Sequence, residues 1–323
     1  MKIDSYITLL RPQQWIKNVF VLLPVFFGQQ LTSWPALRGA LLMVVAFCLA
    51  SGGIYCLNDL CDADADRLHP QKRLRPIASG RVSRRSAIML MGVCWALAML
   101  VSFSIFHFSL FPAIEMAGYH CQAPLGLPSI HFSLFTFHLS LSSFLVPLYI
   151  FLNILYSLWL KHIAGLDLLC ISCGFVLRVL AGGAAAGIVV SGWLLTMTLL
   201  LTLFIALGKR RDEMAVYGMT GVKPRRNIGS YRPEWVNPAL VVLALTVLIC
   251  YVAYTLSDEV LERLHYPYLY TTSIYVAAAI GRYLYVIVRP SALTYSPTRI
   301  LLHDRWLQIT LAVWLINFAL ILY

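Results

Sequence analysis

Acidic residues are scarce in this chain: 14 of its 323 residues are Asp or Glu, and charged residues of every kind make up only 12%. A soluble protein carries roughly twice that share of charge, so an ordinary water-soluble globule is excluded. Alternation of polar and apolar residues is also missing. The apolar residues, 60% of the total, come in runs, which argues against a membrane β-barrel. Stretches 39–51, 86–106, 141–160, 194–207 and 240–254 are free of Asp, Glu, Lys and Arg. About 20 residues at 1.5 Å each cross the hydrocarbon core, so these stretches predict transmembrane helices. A signal-peptide pattern is absent as well. Arg11, Pro12 and Lys17 precede the first apolar run and no small-residue cleavage site follows it, so the first span is expected to stay in the mature protein. The eight cysteines fall mostly inside spans and read as small buried hydrophobes, with no disulfide framework. Cys170 and Cys173 form a CxxC in an apolar helix with no second pair nearby, which points to packing and not to a metal.

What is present is an all-α integral membrane pattern of nine helices, centred near residues 27, 47, 96, 150, 178, 200, 246, 276 and 315. With the N-terminus inside, the inner segments are 1–17, 59–85, 161–166, 209–236 and 282–306. They carry 22 of the 25 Lys and Arg, and only Arg38 and Arg263 fall outside, with Arg178 inside a span. This bias predicts an N-in, C-out, multi-pass protein, in a bacterium one of the inner membrane. It also accounts for the net charge of +11 without nucleic acid. The whole of 1–323 is expected to be a single transmembrane domain, with long inner loops at 59–85 and 209–236. Segment 107–140 carries HFSLF twice and is broken by Pro112, Pro124 and Pro128. It is expected to be an outer loop with interfacial helix character.

The scarce acids are not scattered. Asp59, Asp62, Asp64 and Asp66 fall within eight residues, and Lys72, Arg73 and Arg75 follow. On a continuous helix Asn58, Asp62 and Asp66 stack on one face, with Asp59 flanking them. Like charges at that spacing repel unless a cation neutralises them, and oxygen ligands of this kind suit Mg2+. Asn58, Asp59, Asp62 and Asp66 are therefore the candidate metal ligands. An acidic stripe followed by a basic arm is what a magnesium diphosphate requires.

Three further polar groups are expected on the same side of the membrane. They are Arg11-Pro12-Gln13-Gln14-Trp15-Ile16-Lys17-Asn18, then Tyr156-Ser157-Leu158-Trp159-Leu160-Lys161, then Gly208-Lys209-Arg210-Arg211-Asp212-Glu213. Singly, Lys17 and Lys161 read as snorkelling anchors; together with the acidic stripe the groups point to a shared pocket. Arg178, beside Gly182-Gly183 in mid-span, is costly unless it faces the bundle interior. It is expected to bind an anionic group or to pair with a helix carbonyl.

The run Asn-Asp-x-x-Asp-x-x-x-Asp, here Asn58 to Asp66, resembles the signature of the UbiA superfamily of intramembrane prenyltransferases. The nine-helix pattern resembles that fold as well. The resemblance implies Mg2+ on this motif and a central cavity open to the cytoplasmic side, where the active site would face. A narrower likeness is to the decaprenyl-phosphate phosphoribosyltransferase branch. It rests on the 11–18 stretch, on His69-Pro70-Gln71-Lys72-Arg73-Leu74-Arg75-Pro76-Ile77-Ala78, on Tyr156-Ser157 with Lys161, on Arg178 with Ala181-Gly182-Gly183, and on Gly208-Lys209-Arg210 with Glu213. Other members usually carry a second aspartate-rich motif where this chain has the more basic 209–213, which suits a donor with an additional phosphate. Segment 107–140 is longer than the branch leads one to expect.

The branch implies transfer of 5-phosphoribose from phosphoribosyl pyrophosphate to a polyprenyl phosphate, with release of diphosphate. Asp59, Asp62, Asp66, Lys72 and Arg75 would be catalytic. Gln14, Lys17, Asn18, Arg73, Tyr156, Lys161, Arg178, Lys209, Arg210 and Glu213 would contact substrate. Two other readings share these features. One is a prenyltransferase moving a polyprenyl group from its diphosphate to an aromatic acceptor, disfavoured by the basic 209–213. The other is an anion transporter, disfavoured because no span carries a chain of ionisable residues.

Overall fold

The computed structural model describes residues 2–68, 72–119, 128–221, 226–288 and 297–323, and among these every regular element is helical. In chain order the α-helices are α1 (Lys2–Leu10), α2 (Leu23–Phe27), α3 (Trp34–Leu68), α4 (Arg84–Tyr119), α5 (Pro128–Leu158) and α6 (Leu166–Ala186). Then come α7 (Gly192–Thr220), α8 (Pro233–Leu256), α9 (Asp258–Leu264), α10 (Ser273–Val288), α11 (Pro297–His303) and α12 (Arg305–Leu322). Eight of the described helices are long and apolar enough to cross a membrane, and they coincide with the expected spans other than the one near residue 27.

That first segment is built differently from expectation. Pro12 disfavours the right-handed helical region for the residue before it, and Arg11 takes the left-handed conformation at φ 52°. α1 therefore ends at Leu10, and an 11-residue 3-10 helix, Pro12–Leu22, runs into the 5-residue α2. A 3-10 helix rises about 2.0 Å per residue, so the two pieces cover roughly 30 Å with fewer residues than a regular span needs.

Segment 107–140 is helical wherever it is described. Residues 107–119 extend α4, and α5 starts at Pro128 and includes 128–140. Proline at the first helical position lacks only an N–H that the helix leaves unpaired in any case, so Pro128 starts a helix where the sequence suggested a break.

The chain divides into two compact units: Met1–Trp159 with Val176–Val190, and Leu160–Phe175 with Ser191–Tyr323. The first unit is centred on α3, packed against α4, α5 and the end of α6 around Met43, Phe47, Ile54, Val146 and Ala181. Two glycines allow the closest approaches. A Cβ at Gly182 would lie 1.8 Å from the Val21 carbonyl oxygen, and one at Gly39 would lie 2.1 Å from that of Ala185. Small residues let helix backbones meet where lipid supplies no hydrophobic drive for association.

The second unit packs α7 against α8 and α10 around Phe204, Leu207, Leu240, Val247 and Tyr283. α7 is closed at both ends by local chemistry. The Ser191 hydroxyl accepts from the Leu194 N–H at 3.3 Å, and Gly221 takes φ 67° to return its N–H to the Tyr217 carbonyl. Asp304 caps α12 in the same way and also accepts a forked pair of hydrogen bonds from Arg282 on α10. That guanidinium, first among the causes, holds the Asp304 carboxyl below the usual carboxylate range. Among the described cysteines none is in a disulfide, as expected, although only Cys56 and Cys94 are fully buried.

Candidate functional site

The acidic motif lies on one continuous helix. α3 is 35 residues long, or roughly 52 Å against a hydrocarbon core of about 30 Å. The turns carrying 58–66 thus have length to spare beyond the lipid. Asp59 and Asp66 are buried, at 2% and 3% exposure, and lie almost two full turns apart on the same face. Arg75 Nη1 donates to both, at 3.2 Å to Asp59 Oδ1 and 2.7 Å to Asp66 Oδ2. Arg11, held in its left-handed turn, donates to Asp59 Oδ1 from the other side and stacks 5.1 Å over the Tyr55 ring. Asp62 is half-buried between them in sequence, as is Asn58. Asp64 points to the surface and pairs with Arg67 and Arg84, an ordinary solvated helix end.

The donor set fits a hard divalent cation. Two carboxylate oxygens converge on one point, and a cationic nitrogen stands there. Among the described residues no three His, Cys, Asp or Glu side chains gather as a ligand cluster. The four-ligand set expected from the stripe is therefore not assembled, because the helix carries Asn58 and Asp66 more than two turns apart. Mg2+ commonly takes one or two carboxylates and completes its shell with water and phosphate oxygens, so Asp59 and Asp66 suffice to anchor it. Removing Arg75 leaves these two buried carboxylates short of positive charge. Arg75→Gln is expected to melt roughly 5 °C below wild type in EDTA, with Mg2+ restoring most of the difference. A detergent-phase melt with and without metal decides it, and equal melting in EDTA would refute the pairing.

Arg178 lies 6% exposed within the first unit. Its Nε donates to Asn18 Oδ1 at 2.9 Å and its Nη2 to the Tyr149 hydroxyl at 2.6 Å, with the guanidinium 4.7 Å from the Tyr149 ring centre. The amide nitrogen of Asn18 reaches Cys48 Sγ at 3.2 Å and Ser51 Oγ at 3.4 Å. Both ends of the Asn18 side chain are thus engaged in the core, contrary to its expected place against substrate. Arg178 thus meets an amide and a phenol inside the first unit.

The second unit holds a cluster that the sequence only half revealed. Arg210 is fully buried; its Nε donates to Asp167 Oδ2 at 2.9 Å and its Nη1 to Glu213 Oε2 at 2.7 Å. Lys209 Nζ lies 3.7 Å from the other Glu213 oxygen. Asp167 also accepts from the Tyr231 hydroxyl and, at 3.4 Å, from Asn227. Burial, and then that hydrogen bond to the Asp167 carboxylate, push the Tyr231 phenol up to about 12. Arg210 and Glu213, expected to touch substrate, are paired inside the protein, because a guanidinium this deep requires carboxylates. Gln14, Lys17, Lys72, Tyr156, Lys161 and Lys209 are half-buried and Arg73 is exposed; His69, Pro70 and Gln71 lie outside the described residues.

Sequence reasoning missed Arg11, Tyr149, Asp167, Asn227 and Tyr231 as polar partners. Asp167 was findable, being one of few acids and standing at the start of a span. Nothing in the sequence singles out Tyr231.

Residues 21–118 match the UbiA prenyltransferase family. The decaprenyl-phosphate phosphoribosyltransferase of Mycolicibacterium smegmatis is 30% identical, the alignment covering 97% of this chain and 91% of that protein. The enzyme of the same name from Corynebacterium glutamicum is 29% identical over 99% and 87%. Among solved structures, a UbiA homologue from Archaeoglobus fulgidus bound to GPP and Mg2+ superposes with a TM-score of 0.65 at 20% identity, covering 98% and 99% of the two chains. That likeness extends the fold over the whole length, beyond the 98 residues of the family match. With the acidic motif seated at the end of a membrane-length helix, the chain belongs to the UbiA prenyltransferase family and is a multi-pass membrane transferase.

Proposed function

We propose that this transferase moves 5-phosphoribose from phosphoribosyl pyrophosphate to a polyprenyl phosphate and releases diphosphate, with Mg2+ as cofactor, at the cytoplasmic face of a bacterial inner membrane. The observation that carries the reading is the near full-length similarity to enzymes named for that transfer. The convergence of Asp59 and Asp66 on one cationic nitrogen agrees with it.

In this reaction an oxygen of the acceptor phosphate forms a bond to C1 of the ribose. The bond from C1 to the diphosphate oxygen breaks, and its electron pair leaves with diphosphate. The acceptor is already an anion, so no strong base is required. Negative charge grows on the leaving group, and stabilising it is the main task. Asp59 and Asp66 would hold the metal, with Asp62 and Asn58 adding negative charge and a polar group on the adjoining turns, and a bound metal would neutralise diphosphate oxygens. Lys72, Arg73 and Arg75 contribute further positive charge to the same oxygens. Lys17, Lys161 and Lys209 bind the acceptor phosphate and the ribose 5-phosphate, with Gln14 and Tyr156 supplying neutral contacts.

A second reading follows from the family itself and from its homologue bound to GPP: transfer of a polyprenyl group from its diphosphate to an aromatic acceptor. One assay separates the two. Purified protein with Mg2+, phosphoribosyl pyrophosphate and a polyprenyl phosphate is expected to release diphosphate, and to stop when lipid or metal is omitted. Silence there, with turnover of a polyprenyl diphosphate and an aromatic acid, would establish the second reading instead.

A further inference from the structure

The buried cluster of the second unit contains more than charge pairing demands. Arg210 alone neutralises Asp167, yet Asp167 also takes the Tyr231 hydroxyl on its other oxygen. The same phenolic oxygen accepts the Gly165 N–H at 3.1 Å. Gly165, at φ 86°, ends the short turn that carries Lys161. One phenol thus ties the Lys161 turn to the carboxylate that anchors Arg210.

From Asp167 the chain of contacts runs outward through Arg210 to Glu213 and then Lys209. Exposure rises along it: Asp167 and Arg210 are at 0%, Glu213 at 7% and Lys209 at 30%. Two cations and two carboxylates balance, and the member that reaches solvent is a lysine. A guanidinium is planar, and its two carboxylate contacts hold it at a fixed angle. What fixes Asp167 therefore fixes the direction from which Glu213 meets Lys209.

We propose that Tyr231 is a positioning residue for anion binding. Its hydroxyl sets the Lys161 turn and the 209–213 stretch of α7 in register, so that both lysines present their charge to phosphate groups. The inference rests on the reading that these lysines bind phosphate, and it commits the site to a polyphosphate donor. A hydrogen bond to a charged group typically changes affinity about tenfold.

The test uses the full-length protein, with Tyr231→Phe beside wild type. Tyr283→Phe serves as control, since it removes another buried phenol of the same unit, one that donates to the Ile205 carbonyl at 3.1 Å. Two quantities are read: the Kd for inorganic diphosphate with Mg2+, and KM and kcat for phosphoribosyl pyrophosphate. Tyr231→Phe is expected to weaken diphosphate binding and raise KM by roughly tenfold, with kcat changed less than about threefold, while Tyr283→Phe alters neither. Unchanged Kd and KM, or a loss confined to kcat, would reduce Tyr231 to structural glue and overturn the proposal. If wild type binds diphosphate and Tyr231→Phe does not, yet phosphoribosyl pyrophosphate is never turned over, the positioning role stands and the phosphoribosyl reading falls. Wild-type protein that binds no diphosphate overturns both.

Discussion

Asp62→Asn is expected to cut diphosphate release at least about a thousandfold, which corresponds to some 4 kcal/mol of lost transition-state stabilisation, while leaving the protein folded in detergent. The residue stands one turn from both Asp59 and Asp66 along α3. Asparagine keeps its shape and removes only its charge. Whatever stability Asp62 contributes is therefore largely kept, and what is lost is negative charge beside the metal proposed at Asp59 and Asp66. The kinetic measurement must be paired with a melt of the same preparation. A folded variant with wild-type turnover would remove the acidic stripe from the reaction and leave the metal assignment without support.

The largest effect on stability is expected at Arg210. Replacing it with Gln strands Asp167 and Glu213, both buried, without the guanidinium that pairs them. Removing one partner from a buried pair typically costs about 3–5 kcal/mol, more than the pair itself contributes relative to apolar packing, because the remaining charge stays desolvated. Equilibrium unfolding in mixed micelles reads this loss directly. A change below about 1 kcal/mol would show that water reaches the cluster and that its burial is not felt as a cost. The contrast with Arg75 is informative. There the carboxylates sit where a metal can replace the arginine, so Mg2+ should recover the variant; at Arg210 no metal response is expected.

Arg75 and Arg210 also mark how far the chain could be read unaided. Both stand in charged stretches at the inner ends of expected spans, and both read as cations that contact substrate. Folding separates them. Arg75 stays 29% exposed at a pair of aspartates, whereas Arg210 is fully buried and donates to two carboxylates. The surroundings of Asn18 were hidden for the same reason: its neighbours Cys48, Ser51 and Arg178 lie 30 to 160 positions away.

Composition and periodicity determined by themselves that this is a helical membrane protein, where its long helices lie, and that Asn58, Asp62 and Asp66 stack on one helix face with Asp59 beside them. Those properties are local: chain length per turn, side-chain transfer into lipid, and a repeat of three to four residues. The 3-10 geometry of Pro12–Leu22 was beyond reach, since it depends on how Val21 meets Gly182 as well as on Pro12. Which cations face substrate and which hold the protein together was decided only by tertiary structure. A charge's role follows from which opposite charge lies within about 4 Å and how much water remains, and at Asp167, Arg210 and Tyr231 both are set by residues 43 and 64 positions apart.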